Sequence, residues 1–462
     1  MLYLSFGAII FAADRDGDDW SQWAAWRGPL ASGVAPNADP PIEWGEDKNV
    51  RWKVEIPGSG NASPIVWGDL VFIQTAVKTD TVVESDDDKS TDVESNDPPA
   101  GRSPHGDRDG RAGRAGRRGR GMWRRETPTH LHKFIVMALD RKTGKTVWQR
   151  TVREELPHES GHGDTTHAAC SPVVDGQHIY AYFGSRGLYC LDMQGEVIWE
   201  KDFGDTRTRN QFGDGASPVL YKDTIVVNWD HEDQSFIVAL DKNTGDERWR
   251  VDRDEVTSWA TPLIVEHQGR AQVITSGTKR VRSYDLATGK VVWECGGLGK
   301  NCIPSPVSNA GTVYMMSGYR DPQLLAIRYE GASGDITDSG AVTWRTSVDT
   351  SYVPSPLLYN DKLYFLKKNS AILSCYDAKT GKPHYTKQRL AGVEGVYASP
   401  VAANDHIYIA GRNGTTVVIK NASKYEALAT NTLDDGFDAS PAIVGSELYL
   451  RGRKYLYCIA RD

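Results

Sequence analysis

The stretch ALDKNTGDERW, residues 239–249, contains the pattern that decides the fold of this chain. It recurs as ALDRKTGKTVW at 138–148 and as SYDLATGKVVW at 283–293, with the aromatic residue eight positions after the Asp each time. Asp accepts backbone N–H groups in a turn, Gly supplies a positive φ, and an indole ring packs between neighbouring sheets. The pattern predicts a repeated hairpin whose docking residues are Trp52, Trp148, Trp199, Trp249, Trp293 and Trp344.

A second pattern, Ser-Pro or Thr-Pro followed by apolar residues and a turn, marks the start of each repeat. It occurs eight times, at Ser63, Ser171, Ser217, Thr261, Ser305, Ser355, Ser399 and Ser440. The last seven positions span 269 residues in six steps, a mean near 45. That is the length of a propeller blade made of four strands.

The last repeat contains only three strands, so its fourth strand must come from elsewhere. Residues 49–56, NVRWKVEI, have the composition of the missing Trp strand. Pairing them with the last repeat would close the ring and remove two exposed sheet edges. We therefore predict an all-β, eight-bladed propeller of four-stranded antiparallel blades, closed by an N-terminal strand, with residues 14–462 as a single domain. Trp20, Trp23 and Trp26 are expected to pack on the outside or across one face.

The composition agrees with this architecture. The 462 residues include 45 Gly, 22 Pro, 14 Trp and 20 Tyr, which favours many short strands joined by turns. At 39% hydrophobic residues the chain can bury a large core. Its net charge of -7 argues against polyanion binding by the whole body.

The six cysteines include no C-x-x-C motif and no adjacent pair, which excludes zinc-ribbon and thioredoxin-like sites. Three of them occupy the repeat position held elsewhere by Ala138 and are predicted to be small buried residues. These three are Cys190, Cys375 and Cys458. Cys295 and Cys302 are the only candidates for a disulfide, and Cys170 is interpreted as a packing residue.

Two segments lie outside the repeat. The apolar stretch Leu2–Ala13 has the length of a signal-peptide core, so residues 1–13 are a candidate signal peptide, and no Cys follows for a lipid anchor.

Residues 78–130 hold 11 basic and 11 acidic residues with almost no apolar ones, which predicts a disordered charged insert within the first blade. Its Arg-rich half leaves polyanion binding open, although a solvated loop is favoured.

Connectors that lead into the first strands gather around the central channel of a propeller, and here they are polar and aromatic. Carboxylates that converge on a narrow axis could hold a ligand or a cation. Turn formation and structural hydrogen bonds explain many of the same residues, so no catalytic residue is assigned. The predicted ligand-binding rim consists of His162, Asp164, His167, Asp214, Asp230, His231, Trp259, Arg320, Tyr352, Asp435 and Asp438.

The stretch HESGH at 158–162 matches H-E-x-x-H. Zinc chemistry with this motif needs a helix that directs both histidines to one metal. Pro157 and Gly161 argue against a helix. No metal is predicted, and the weaker alternative is a loop site that uses His158, His162, Asp164 and His167.

The A-x-D-x-x-T-G-x-x-x-W pattern with Ser-Pro first strands resembles the pyrroloquinoline quinone (PQQ) repeat superfamily, which includes quinoprotein alcohol dehydrogenases and BamB-like assembly factors. The opening WAAWRGP, residues 23–29, followed by eight repeats, resembles PQQ-like propellers of planctomycete type. The dehydrogenases of this superfamily carry a vicinal Cys-Cys pair and a calcium set with a catalytic Asp. This sequence has no adjacent cysteines, and its residues cannot be matched to the calcium set.

The favoured hypothesis is an exported, non-catalytic propeller that binds a protein or an extracellular ligand in the cell envelope. It is expected to be a monomer without a cofactor, a lipid anchor or a transmembrane span. The alternative is a PQQ- and calcium-dependent dehydrogenase of alcohols or sugars, with Trp259 as a stacking surface and Asp214 or Asp438 as base. Nucleic acid is not an expected partner.

Overall fold

The first strand, β1 (Val50–Glu55), pairs antiparallel with the last strand, β33 (Tyr455–Ala460), rather than with its neighbour in sequence. The fold is known from a computed structural model that describes residues 21–83 and 127–461. Within these ranges every sheet except one has four strands, there is no α-helix, and no helix is long and apolar enough to cross a membrane. The chain is thus an eight-bladed β-propeller closed by its N-terminal strand, as predicted.

Each blade is a meander that runs from the channel outward, and the blades follow one another along the chain. Blade 1 consists of β2 (Ile65–Trp67), β3 (Leu70–Val82), β4 (His130–Asp140) and β5 (Thr146–Glu155). Blade 2 consists of β6 (Val173–Val174), β7 (His178–Tyr182), β8 (Leu188–Asp192) and β9 (Val197–Lys201). Blade 3 consists of β10 (Val219–Tyr221), β11 (Thr224–Trp229), β12 (Ser235–Asp241) and β13 (Glu247–Arg253).

The remaining blades repeat this order with two departures, in blades 4 and 8. Blade 4 consists of β14 (Leu263–His267), β15 (Arg270–Thr275), β16 (Val281–Asp285) and β17 (Val291–Cys295). Blade 5 consists of β18 (Val307–Asn309), β19 (Thr312–Ser317), β20 (Gln323–Arg328) and β22 (Val342–Thr346), and β21 (Gly334–Asp335) joins blade 4. Blade 6 consists of β23 (Leu357–Tyr359), β24 (Lys362–Leu366), β25 (Ile372–Asp377) and β26 (Pro383–Arg389). Blade 7 consists of β27 (Val401–Ala403), β28 (His406–Ala410), β29 (Thr415–Lys420) and β30 (Ala427–Thr432). Blade 8 consists of β31 (Ala442–Val444), β32 (Glu447–Arg451), β33 and the returning β1.

The two long strands of blade 1 extend into both ends of the segment that the sequence assigned to the charged insert. Lys78 pairs with His132, and β3 continues to Val82. The rest of the predicted charged insert, including its Arg-rich half, falls on residues 84–126, which lie outside the described residues. The candidate signal peptide and Trp20 lie outside them as well.

The repeated tryptophans dock each blade onto the hairpin of the next. The Trp199 indole N–H donates to the Lys242 carbonyl at 3.0 Å, and its ring lies against Gly245 in the Thr-Gly turn. Equivalent indole bonds to the next blade are made by Trp52, Trp148, Trp249 and Trp344. The docking role predicted from the sequence therefore holds for these rings.

Trp293 in blade 4 differs from the other docking tryptophans. The connection that follows β20 in blade 5 forms β21, which pairs in parallel with Trp293 and Glu294. This added strand leaves the Trp293 ring fully buried, and its indole N–H has no hydrogen-bond partner among the described residues. Trp293 therefore docks by packing alone.

We expect Gly245→Ala to destabilise the propeller more than Gly269→Ala. Both glycines have a φ of +74°, so both substitutions incur the left-handed backbone cost, about 1–2 kcal/mol. A Cβ at Gly245 would lie 2.8 Å from the Trp199 ring, whereas a Cβ at Gly269 would meet nothing within 4 Å. Overpacking should cost Gly245→Ala about 1–3 kcal/mol more in the free energy of unfolding measured with denaturant. Equal losses would show that the turn does not support the ring.

The Ser-Pro and Thr-Pro hydroxyls form a belt around the channel. Each oxygen accepts the backbone N–H of the equivalent residue in the preceding blade, as Ser217 does from Ser171 at 2.9 Å. Seven such bonds, between 2.8 and 3.0 Å, run from Ser63 to Ser440. The belt is open between blades 8 and 1, where the buried Ser63 hydroxyl has no hydrogen-bond partner among residues 21–83 and 127–461.

This belt predicts opposite outcomes for two identical substitutions. Ser217→Ala leaves the buried Ser171 N–H without an acceptor, so we expect a loss of about 1–3 kcal/mol in the free energy of unfolding. Ser63→Ala removes a hydroxyl that bonds to nothing, so stability should stay within about 0.5 kcal/mol of the parent. Chemical denaturation of the two variants measures both. A Ser63→Ala variant as unstable as Ser217→Ala would contradict the open belt.

All six cysteines are buried free thiols. Cys190 faces Trp199 in the strand register, and Cys458 faces Trp52, which confirms the small buried position that the repeat predicted. The candidate disulfide is wrong, because the thiols of Cys295 and Cys302 instead donate to backbone carbonyls of the loop between them.

Candidate functional site

Residues 23–35, which we call the strap, cross the channel at one end. Trp23 pairs with Val66 in the first strand of blade 1, and Val34 pairs with Ala402 in the first strand of blade 7. Trp23 and Trp26 thus lie across one face of the propeller, one of the two placements the sequence allowed. The strap closes the channel from one side.

Arg27 fixes the strap at the channel axis. Its guanidinium donates to the Pro400 carbonyl at 2.6 Å and to the Pro356 carbonyl at 2.8 Å, which belong to the Ser-Pro motifs of blades 7 and 6. The side chain is buried, and desolvation lowers the pKa of Arg27 to about 9. No local sequence pattern predicts this contact.

Above the strap lies a cavity of about 250 Å³ on the channel axis, open toward the loops that lead into the first strands. Trp26 of the strap lines it together with residues from each blade. The position two residues before each Ser-Pro or Thr-Pro contributes one lining residue per blade, and we call these the lumen positions. They are Asn61, Ala169, Gly215, Trp259, Ile303, Val353, Tyr397 and Asp438.

An ion-pair network occupies one side of the cavity mouth. Arg412 donates to Asp164 and to Asp438, both at 2.6 Å, and its guanidinium lies 4.0 Å from the centre of the Tyr397 ring. The Tyr397 hydroxyl donates to Asp164 at 2.9 Å. Burial raises the pKa of Asp164, but bonds from Arg412 and Tyr397 bring it below its usual value overall. Burial and the bond to Asp164 raise the pKa of Tyr397 to about 12.

Aromatic rings form the other side of the mouth. His162 meets Phe212 edge to face with centroids 4.9 Å apart, and Phe212 lies 6.1 Å from Trp259. The Trp259 indole N–H is fixed by the Gly213 carbonyl at 2.7 Å. Tyr352 stacks on Tyr319 at 5.1 Å. The rings are thereby held in place at the mouth.

Six of the predicted rim residues line this cavity. They are His162, Asp164, Asp214, Trp259, Tyr352 and Asp438. Asp214 is committed to the fold, because its oxygens accept hydrogen bonds from Thr206 at 2.9 Å and from the Ser185 backbone N–H at 3.1 Å.

The other five predicted rim residues do not line the cavity. Asp230 is fully buried in an ion pair with Arg253, and the His231 ring bonds to backbone groups of its own and a neighbouring loop. The Asp435 carboxylate accepts backbone N–H groups of the turn at 452–455. Arg320 is exposed over Tyr319, and His167 packs beside His132. Asp230, His231 and Asp435 therefore make structural hydrogen bonds, and none of the five residues lines the cavity.

The H-E-x-x-H match forms no helix. The His158 ring bonds to the Thr206 carbonyl at 2.6 Å and to Arg186 at 2.9 Å, and Glu159 accepts from the Thr208 backbone at 2.8 Å. Among the residues that the structure describes, no three His, Cys, Asp or Glu side chains form a group that could hold a metal. His158, His162 and His167 are therefore not brought together as ligands.

His167 makes stability depend on pH. Burial, and secondly the neighbouring His132, lower the pKa of His167 to about 4, whereas an unfolded His has a pKa of about 6.5. The unfolded chain thus binds the proton more readily, and the contribution of neutral His167 is lost as pH falls from about 6.5 toward 4. We expect the parent to lose more stability than His167→Gln between pH 7 and 4.5 in denaturation experiments. Parallel pH profiles would contradict this role.

The groups around the cavity do not fit a quinone held by calcium. Asp164 and Asp438 are bound to Arg412, and Asp214 is bound to Ser185 and Thr206, so no set of free carboxylates remains to ligate the metal. Calcium takes 6–8 oxygen ligands.

The sequence did not identify Trp26 and Arg412 as site residues. Arg412 reaches Asp164 across 248 positions of the chain, and that contact exists only once the ring closes. The lumen positions, however, did carry a signal, because each stands at a fixed distance before a Ser-Pro or Thr-Pro. That spacing alone would have identified Tyr397, Ile303 and Val353.

Two curated relatives match in sequence. The outer membrane protein assembly factor BamB of Yersinia pestis is 22% identical over 335 residues, 61% of this chain and 79% of the relative. The 1-butanol dehydrogenase (quinone) of Thauera butanivorans is 29% identical over 185 residues, 35% of this chain. The chain spans only 26% of that dehydrogenase.

A solved europium-containing methanol dehydrogenase superposes with a TM-score of 0.62 at 11% identity, over 94% of this chain and 89% of that structure, which shows a shared fold. A sequence profile of the family described as "Outer membrane protein assembly factor BamB" matches residues 132–387, more than half of the chain. The protein therefore belongs to this BamB family within the PQQ-like propeller superfamily.

Proposed function

We propose that this protein is a non-catalytic binding propeller of the cell envelope, which takes a protein segment or an extracellular ligand into the cavity at its loop face. The observation that carries the proposal is a cavity that Trp26 lines at the strap end and that opens toward the loops, where Arg412 is already paired with Asp164 and Asp438. Concave sites lined by aromatic rings with a few fixed polar groups are typical binding sites.

The state of the charged groups supports binding rather than catalysis. A general base needs a free lone pair within reach of its substrate. The carboxylates of Asp164, Asp214 and Asp438 are all engaged by guanidinium, hydroxyl or backbone donors. The three carboxylates therefore serve as fixed contacts in the cavity wall.

The envelope location rests on two observations outside the cavity. The relative from Yersinia pestis is named as an outer membrane protein assembly factor. The apolar stretch Leu2–Ala13 has the length of a signal-peptide core. We propose that the chain is exported and acts as a monomer.

A PQQ- and calcium-dependent dehydrogenase is the second candidate function. It is favoured by the quinone-dependent butanol dehydrogenase among the sequence relatives and by the methanol dehydrogenase that shares the fold. In this alternative the quinone would occupy the same cavity with Trp259 as its stacking surface, and Asp164 and Asp438 would have to leave Arg412 before they could bind calcium.

The binding proposal is tested by a photo-activated benzoylphenylalanine placed at Tyr352, on the cavity mouth, in the full chain expressed in intact cells. The matched control carries it at Val291 on an outer strand, which is 47% exposed. We expect defined adducts from position 352 and none from position 291. Adducts from position 291 alone, or from neither position, would contradict a binding site at the loop face.

A further inference from the structure

We propose that the ligand of this cavity is a neutral sugar ring, either free or at the end of an oligosaccharide. This inference rests on the proposed binding function and names the chemical class of its ligand. It is drawn from three properties of the cavity wall, namely its shape, its hydroxyl protons that have no assigned acceptor, and its paired charges.

The lumen positions give the cavity its shape. Asn61, Ala169 and Gly215 of blades 1 to 3 are the smaller lumen residues, but Trp259 of blade 4 lies against Gly215. Tyr397 belongs to blade 7, which faces blade 3 across the axis. Space is therefore left beside Asn61 and Ala169, with an aromatic ring on either side. A sugar ring matches this arrangement because its C–H faces are apolar and can lie on an aromatic ring while its edge is polar.

The hydroxyl belt gives the cavity its donors. Ser171, Ser217, Ser355, Ser399 and Ser440 line it and are each more than nine-tenths buried. Each of these oxygens accepts a backbone N–H, and no protein acceptor is assigned to its own O–H within the described ranges. A buried hydroxyl gains from a partner, and the hydroxyls of a sugar can accept these protons.

The paired charges select a neutral ligand. Arg412 is shared between Asp164 and Asp438, so the network leaves no unbalanced cation for an anionic ligand. The second oxygen of Asp438 accepts from Arg453 at 3.0 Å. Charged groups fixed in this way offer directional hydrogen bonds without a strong field, which suits polar but uncharged groups.

The test titrates the full chain with glucose, galactose, mannose and N-acetylglucosamine. Binding is followed by calorimetry and by the change in total tryptophan fluorescence, to which Trp26 and Trp259 in the cavity wall contribute. Ala169→Leu fills the small side of the cavity, and Ala287→Leu is the control on an exposed turn. We expect at least one sugar to bind saturably, about tenfold or more weakly in Ala169→Leu, and unchanged in Ala287→Leu.

No saturable sugar binding, or binding that Ala169→Leu leaves unchanged, would overturn the sugar assignment. Cross-links from position 352 that Ala169→Leu abolishes, in a protein that binds no sugar, would leave the binding function standing with a different ligand. If the parent gave neither cross-links from position 352 nor saturable sugar binding, both proposals would be removed. Circular dichroism melts of the variants show that each is folded.

Discussion

Asp230→Ala should lower the free energy of unfolding by about 3–5 kcal/mol, the largest effect we expect from a single polar substitution. Asp230 and Arg253 have side chains that are 0% exposed and are joined at 2.7 and 3.0 Å. Burial lowers the pKa of Arg253, but the charge of Asp230 outweighs it and raises this pKa above its usual value. Removing Asp230 would leave a buried guanidinium charge without a counterion.

A neighbouring ion pair provides the control for this prediction. Asp233 pairs with Arg207 at 2.6 Å on the surface, so Asp233→Ala should cost no more than about 1 kcal/mol. Replacing both partners, as in Asp230→Leu with Arg253→Met, should recover most of the loss because no unpaired charge remains. Denaturant titrations measure all three variants. A loss below about 1 kcal/mol for Asp230→Ala would show that the buried pair is not structural.

Trp52→Ala should cost about 3–5 kcal/mol, because it removes the aromatic residue of the strand that closes the ring. Trp52 is 8% exposed, lies against Gly144 of blade 1, and donates its indole N–H to the Arg141 carbonyl at 2.9 Å. Its ring also lies 5.9 Å from Tyr449 in blade 8. One side chain therefore joins the closing strand to both flanking blades.

Glu55→Ala on the same strand serves as the control. Glu55 is exposed, and surface substitutions of this kind usually change stability by less than about 0.5 kcal/mol. Thermal and denaturant unfolding compare the two variants, and hydrogen exchange of residues 50–55 reports whether the strand detaches. Equal stability of Trp52→Ala and the parent would mean that closure does not depend on this ring.

The fold could be predicted from the sequence because each repeat carries its own local signals. The Thr-Gly turn at Gly245 and the Trp at position 249 act over one hairpin and one neighbouring blade, so their spacing is visible in the chain. The position of β21 was not predictable. It replaces the Thr-Gly turn of blade 5 and binds the edge of blade 4, where Trp293 is buried.

The site was predicted only in part, because a polar loop residue can either line the cavity or make a structural bond within and between blades. Trp259 and Asp438 stand at lumen positions and do line the cavity. Asp230 is also a polar loop residue, but it follows the second strand of blade 3 and is held by Arg253, a partner 23 positions away in the outer strand that also contacts blade 4. Which use a residue has depends on contacts between blades, which the local pattern does not encode.

The most direct test of a binding rather than an oxidising propeller is reconstitution of the purified protein with PQQ and Ca²⁺. Quinone absorbance retained after dialysis and reduction of an artificial electron acceptor with alcohols and sugars are the readouts. We predict no retained quinone and no acceptor reduction, because the carboxylates of the cavity are already bound to Arg412, Ser185 and Thr206. Saturable quinone binding with substrate-dependent acceptor reduction would contradict the account.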